Sequence, residues 1–202
     1  PHGRLLSLPH AGKGHAVKEG MLAAHGEYRF MADADLSMSI GQVDKFLPPQ
    51  LSSKTPLGSP HPSGGYDIAL ASREIRGARR LGEPRFRRFQ GRVFNLWVRL
   101  LAVRGISDTQ CGFKCFHGPV ADALFPLVRL DGFGFDVEVL FLARRLGLHI
   151  VEVPVEWHYG RESKLHPFRH ALTMAGDVLA VRWNHLRGRY TGLRAPTGQG
   201  RT

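Results

Sequence analysis

The strongest constraint on the fold is an alternation near the start of the chain. A short apolar run at residues 4–8 (RLLSL) is followed by an amphipathic stretch at 15–25 and by a second apolar run at 28–32, which leads into Asp33 and Asp35. Runs of that length bounded by turn residues read as buried strands, and Val17, Met21, Leu22 and Ala24 supply the buried side of the helix between them. Strand, helix, strand is the unit of a parallel α/β sheet, because parallel strands need a crossover. Such sheets bind ligands beyond the carboxyl ends of their strands, where the two aspartates stand.

Residues 40–47 read as helical, and 48–65, rich in proline, serine and glycine, as a mobile loop of the kind that forms lids. A strand at 67–71, a long basic helix at 89–103, helices within 116–128 and at 136–146, a strand at 149–153 and a helix at 168–186 complete the reading. With 202 residues, 43% of them hydrophobic, the chain is long enough to bury one core. The expectation is a single α/β domain over 1–187, a mostly parallel sheet flanked by helices, followed by a polar tail, 188–202, with little reason to fold.

Lys and Arg number 28 against 17 acidic residues, and the resulting formal charge of +11 favours anionic partners. No RNA-binding aromatic signature or helix-turn-helix accompanies that charge, so nucleic acid is not the expected partner; a non-catalytic basic nucleotide- or nucleic-acid-binding domain is the alternative to an enzyme. Cys111 and Cys115 make neither a disulfide framework nor a zinc pattern, which points to packing residues in a reducing, cytoplasmic setting. No run approaches the roughly 18 apolar residues of a spanning helix, so membrane contact from these residues is expected to be peripheral.

Asp33 and Asp35, at i and i+2 on extended backbone, would point the same way, and crowding them is costly unless a cation such as Mg²⁺ or Mn²⁺ lies between them. The plainer alternative is a solvated pair capping the next helix. Gly12, Lys13 and Gly14 open a helix directly after a strand, where backbone N–H groups and the lysine meet a phosphate, or where glycine serves backbone geometry alone. The helix at 89–103 sets Phe89, Val93, Phe94, Leu96, Trp97, Leu100 and Leu101 against arginines, so its apolar side packs on the sheet or lies in an anionic membrane interface. The same choice holds for Phe168, Leu172, Ala175, Leu179, Trp183 and Leu186.

The combination is more specific than its parts. GKGHAVKEGMLAAHGEYRFMADADLS (12–37), ASREIRGA (71–78), ISDTQCGFKCF (106–116), GFGFDVEVLFLARRLG (132–147) and VPVEWHYGRESKL (153–165) together resemble the family-two glycosyltransferases of the GT-A fold. Within that group they resemble the dolichyl-phosphate β-glucosyltransferases and their bacterial polyprenyl-phosphate relatives, over nearly all of residues 1–165. The resemblance implies a Rossmann-like sheet whose first strand lies upstream of Pro1, and inverting transfer of a hexose, glucose favoured, from UDP-glucose or another nucleoside-diphosphate sugar to a polyprenyl or dolichyl phosphate. It implies a Mg²⁺ or Mn²⁺ cofactor on Asp33 and Asp35, and a location on the cytoplasmic face of a membrane.

By the same resemblance Asp108 and Asp35 are the catalytic candidates, and Gly12, Lys13, Gly14, Asp33 and Asp35 bind the donor diphosphate. Ser72, Arg73, Arg161, Ser163 and Lys164 contact the acceptor phosphate, and Arg79 and Arg80 add positive charge beside them. Asp136 and Glu138 stand where related enzymes carry an acidic pair at a helix start, and for Asp108 a turn-capping role is the alternative. The chain reads DADLS where the glucosyltransferases read DADGA, the former being more usual in mannosyl transfer, so mannose stays open as the sugar.

Overall fold

The computed structural model describes residues 3–35, 37–47, 65–84, 86, 88, 91–92, 98, 103, 105–159 and 167–191, apart from the side chains of 167–172. Four strands form the central sheet: β1 (Tyr28–Met31), β2 (Ile68–Ser72), β4 (Lys114–His117) and β5 (Ile150–Pro154), in the order β1-β4-β2-β5. Strands β2 and β5 are parallel, whereas β4 runs antiparallel to both of its neighbours, β1 and β2. Three strands therefore share one direction and a fourth is inserted against them. Two further short strands, β3 (Arg79–Leu81) and β6 (Glu156–His158), pair in parallel as a separate ribbon.

The helices follow from the apolar spacing. Helix α1 (Lys13–Ala23) crosses from residue 12 to β1, α2 (Gly118–Leu124) follows β4, α3 (Phe135–Arg145) precedes β5, and α4 (Pro167–Leu186) is the last element. In β2 every residue is buried, with Ile68 and Leu70 in one apolar cluster and Ala69 and Ala71 in another, as the two-residue period of a strand requires. The larger cluster joins the sheet to α2, α3 and α4; the smaller packs Phe30, Phe46 and Phe113, with ring centroids 5.2–5.5 Å apart, on the opposite face.

Several expectations need correction. Residues 4–8 join no ladder among the described residues and are largely exposed, Leu5 at 92%; a strand needs a neighbour to satisfy its backbone, and none lies beside it here. Residues 40–46 form a 3-10 helix (Ile40–Phe46) capped by Ser39. The segment at 116–128 contains its helix, but strand β4 precedes it. On α4 the buried residues are Met174, Val178, Val181 and Asn184, while Leu179, Trp183 and Leu186 face outward at 54–78% exposure, so core packing does not account for those three. The expected tail is anchored at Tyr190, which is buried.

The seven apolar residues singled out in the 89–103 helix and nearly all of the 48–65 loop lie outside the described residues. Val98 and Val103, on that same stretch, are fully buried in the larger cluster.

Candidate active site

The strand directions explain why distant motifs meet. Because β1, β2 and β5 point the same way, their carboxyl ends lie on one edge; because β4 is reversed, the loop that enters it, 105–113, arrives at that same edge. Lys114, the first residue of β4, is in register with Met31 on one side and Leu70 on the other. Asp33, Ser72-Arg73 and the DTQCG loop converge for that reason.

At the β1 end, Lys13 Nζ lies 2.6 Å from Asp33 Oδ1. The chain leaves β1 at Met31 and turns at Ala34–Asp35, so extended i, i+2 backbone is not what relates the two aspartates. Asp35 is exposed, and its Oδ1 accepts the Ser37 N–H at 3.0 Å in a local turn. Gly112 lies directly behind Asp33: any Cβ built on it would overlap the Asp33 carboxylate, so only glycine lets loop and carboxylate meet. Burial by itself would push the Lys13 ammonium down, but the carboxylates of Asp136, Asp33 and Asp35 outweigh it and raise the ammonium above its ordinary range.

The start of α1 is pinned rather than open. The N–H groups of Gly14 and His15 both donate to the Asp131 carbonyl, at 2.7 and 3.3 Å. Gly12, at φ 118°, and Gly14 would each collide with the 130–131 backbone if they carried a Cβ. The glycine pair thus serves a close backbone approach, and of this turn it is the Lys13 ammonium that reaches the acidic edge.

At the β2 end, Asp108 is fully buried and grips Arg73: its Oδ2 accepts the Arg73 backbone N–H at 3.1 Å and Nε at 2.6 Å, and its Oδ1 accepts Nη2 at 2.9 Å. Burial alone would raise the Asp108 carboxyl, but the Arg73 guanidinium holds it down, at about 2. Asp108 Oδ1 also accepts the Gln110 N–H, while the backbone N–H groups of Ser107 and Asp108 donate to Glu152 of β5. Both oxygens of Asp108 are engaged within the protein.

The acceptor candidates divide. Arg73 is held by Asp108 and has its guanidinium carbon 5.3 Å from the centre of the Trp157 ring. The Arg80 side chain is buried and ion-paired with both Glu74 and Glu83. Ser72 is buried and its Oγ accepts the Glu74 N–H. Arg79 is exposed and only loosely associated with Glu156, at 4.0 Å. Arg161, Ser163 and Lys164 lie outside the described residues.

Lys114, Gln110 and Glu152, which the sequence did not single out, join the acidic pair Asp136 and Glu138, which it did. Lys114 is buried, donates to the Cys111 carbonyl at 2.7 Å and is ion-paired with Asp136. Glu138 Oε2 accepts the N–H groups of Arg129 and Leu130, and its Oε1 accepts the Tyr190 hydroxyl, tying the C-terminal segment to the loop that holds α1. The Gln110 side-chain nitrogen is buried with no hydrogen-bond partner among the described residues. The signal for Lys114 and Gln110 was their place in DTQCGFK; nothing local marked Glu152, whose partners are 44 and 45 residues away.

The mixed sheet, its flanking helices and its acidic carboxyl edge define the α/β fold of the GT-A glycosyltransferases. The structure of glucosyl-3-phosphoglycerate synthase from Mycobacterium tuberculosis with UDP is similar at a TM-score of 0.56 and 17% identity, over 84% of this chain and 55% of that one. The same synthase has been solved with Mn²⁺, UDP-glucose and glycerol 3-phosphate, at a TM-score of 0.54 and 18% identity, over 92% of this chain and 56% of that one.

By sequence the chain is a relative of the dolichyl-phosphate β-glucosyltransferases. It is 35% identical to that of Dictyostelium discoideum over 193 residues, and 37% identical to that of Drosophila melanogaster over 188, covering 92% of this chain in each case. The chain spans about half the length of these relatives, 55% and 56%. No protein-family model matches it.

Proposed function

We propose that the protein transfers glucose from UDP-glucose to a dolichyl or polyprenyl phosphate, with inversion at the sugar's anomeric carbon, at the cytoplasmic face of a membrane. The observation that carries this reading is the convergence of Asp33, backed by Gly112 and paired with Lys13, on the DTQCG loop whose Asp108 orients Arg73. That arrangement joins a diphosphate-facing side to a basic side on one sheet edge, and the relatives carry the name of the reaction.

The chemistry asks for positioning more than for proton transfer. A phosphate monoester has its second pKa near ~6, so at neutral pH the acceptor is already largely an anionic nucleophile. Asp108, buried and held ionised against Arg73, has no proton to take and acts through the guanidinium it orients. Arg79 and the basic 161–164 segment draw in the acceptor phosphate, and Lys13 offsets charge on the departing diphosphate.

Among the described residues no three His, Cys, Asp or Glu side chains cluster to hold a metal ion. Two carboxylates suit a Mg²⁺ or Mn²⁺ ion that takes its other ligands from a diphosphate and water, so Asp33 and Asp35 would hold it. Bound there, the ion supplies Lewis-acid neutralisation of the leaving group.

The test is incubation with labelled UDP-glucose, dolichyl phosphate in vesicles and Mn²⁺. Lipid-extractable label in a β-linked phosphodiester by NMR, lost in chelator and in Asp35→Asn, is the expected result. Absence of lipid label would overturn the reading, and preference for GDP-mannose would overturn the choice of sugar alone.

A further inference from the structure

We propose that Tyr190 is a positioning residue for donor binding: through Glu138 and the 128–131 loop it fixes where the first turn of α1 stands. The segment after α4 thereby sets the affinity for the nucleoside diphosphate and leaves the acceptor side untouched. The inference rests on the donor site named above and adds a remote determinant of its affinity.

The chain is brought back to the core at the end of α4. With Gly188 at φ 65°, the Gly188 N–H donates to the His185 carbonyl at 3.0 Å and the Arg189 N–H to the Asn184 carbonyl at 2.9 Å, the pair of bonds that closes a helix through a left-handed residue. The Arg189 guanidinium donates to Asn184 Oδ1 at 3.2 Å and holds the same turn. That turn delivers Tyr190 to a buried position, where its ring centre lies 6.5 Å from that of Phe141 and its hydroxyl donates to Glu138 Oε1 at 2.7 Å.

From Glu138 the path to α1 consists of short hydrogen bonds to the backbone. Glu138 Oε2 accepts the Arg129 and Leu130 N–H groups at 2.9 and 2.8 Å, and Arg129 Nη2 returns to the Arg189 carbonyl at 2.7 Å, which closes a ring. The same loop grips α1 with its carbonyls: that of Asp131 accepts from Gly14 and His15, and that of Val128 accepts from Lys18 Nζ at 2.8 Å. A Cβ on Gly14 would fall 2.4 Å from the Leu130 carbonyl oxygen, so helix and loop are in close backbone contact and the start of α1 stands where the loop stands. Glu138 is fully buried, so loss of the Tyr190 hydroxyl leaves Oε1 without that donor in a dry site, and the loop held by the other oxygen shifts to relieve it.

The acceptor side is built apart from this ring. Arg73 is held by Asp108, whose backbone is in turn held by Glu152 of β5. A change at Tyr190 therefore separates the two substrates. A general loss of stability would instead reduce the amount of active enzyme and leave both KM values alone.

The experiment compares wild type, Tyr190→Phe and Arg129→Met by calorimetric titration with UDP and Mn²⁺, and by transfer kinetics with UDP-glucose and dolichyl phosphate varied in turn. Tyr190→Phe should raise the Kd for UDP and the KM for UDP-glucose by roughly fivefold or more, the low end of couplings between separate sites, with the KM for dolichyl phosphate within about twofold of wild type. Arg129→Met opens the ring on its exposed side and should shift the donor constants in the same direction by less. Hydrogen exchange at the Gly14 and His15 amides should quicken in Tyr190→Phe.

Unchanged donor constants in Tyr190→Phe, a fall in kcat alone, or an equal rise in both KM values would overturn the inference while leaving the donor site standing. If Tyr190→Phe is unfolded by circular dichroism, Arg129→Met decides by the same criteria. No UDP binding by the wild type in the presence of Mn²⁺ would overturn the donor-site reading itself.

Discussion

Replacing Asp108 with Asn should destabilise the protein by about 3 kcal/mol, because it leaves the Arg73 guanidinium without its buried counter-charge. Two routes give that size. Breaking one side of a buried ion pair costs roughly 3–5 kcal/mol, and the low end applies here because Arg73 keeps 17% of its side-chain surface exposed. Independently, the Asp108 carboxyl is held at about 2 against its ordinary 3.8, and at about 1.36 kcal/mol per pH unit that difference is worth about 2.5 kcal/mol.

For a chain of this length the loss should lower Tm by about 6–12 °C. Since the folded carboxyl is depressed, its contribution is fully present above about pH 4, the unfolded value, and disappears as pH falls to about 2. The gap in Tm between wild type and Asp108→Asn should therefore be constant from neutral pH to about pH 4 and close between about 4 and 2. Adding Arg73→Met should restore part of the lost stability, since removing both charges avoids the stranded one. Scanning calorimetry across pH measures all three. A Tm within about 2 °C of wild type at pH 7, or a gap that persists unchanged at pH 2, would refute the reasoning.

Three shorter predictions follow from other contacts. Gly112→Ala should cost little stability, since the group in its way is a side-chain carboxylate, yet should displace Asp33 and lower transfer activity by orders of magnitude; a fully active variant would show that Asp33 has no fixed position. Tyr190→Phe removes the hydroxyl that donates to buried Glu138 at 2.7 Å and should cost about 1.5–3 kcal/mol in urea denaturation, whereas a free C-terminal segment would register no change. Burial pushes both Cys111 and Cys115 thiols up to about 11, so iodoacetamide at pH 7.5 should modify neither in the native protein and both in denaturant, by mass spectrometry.

The strand-forming runs at 28–32, 67–71 and 149–153 and the helices at 15–25, 136–146 and 168–186 were legible because their signals are local: each period or apolar run lies within one element. So was the acidic edge, since Asp33 and Asp35 directly follow an apolar run. Strand β4 was not, because Lys114-Cys115-Phe116-His117 has no period to read and is a strand only by lying between β1 and β2.

What the sequence determined by itself is thus the element types and the set of motifs that carry chemistry. Which of those residues have partners within the protein was decided by the tertiary structure. Arg73 meets Asp108 across 35 residues and Lys114 meets Asp136 across 22, and Gly112 backs Asp33 from a different strand end. Those meetings depend on the reversed direction of β4, which brings the DTQCG loop to the carboxyl edge. A pairing between strands is a property of where the chain returns, and the local pattern of hydrophobic and charged residues does not encode it.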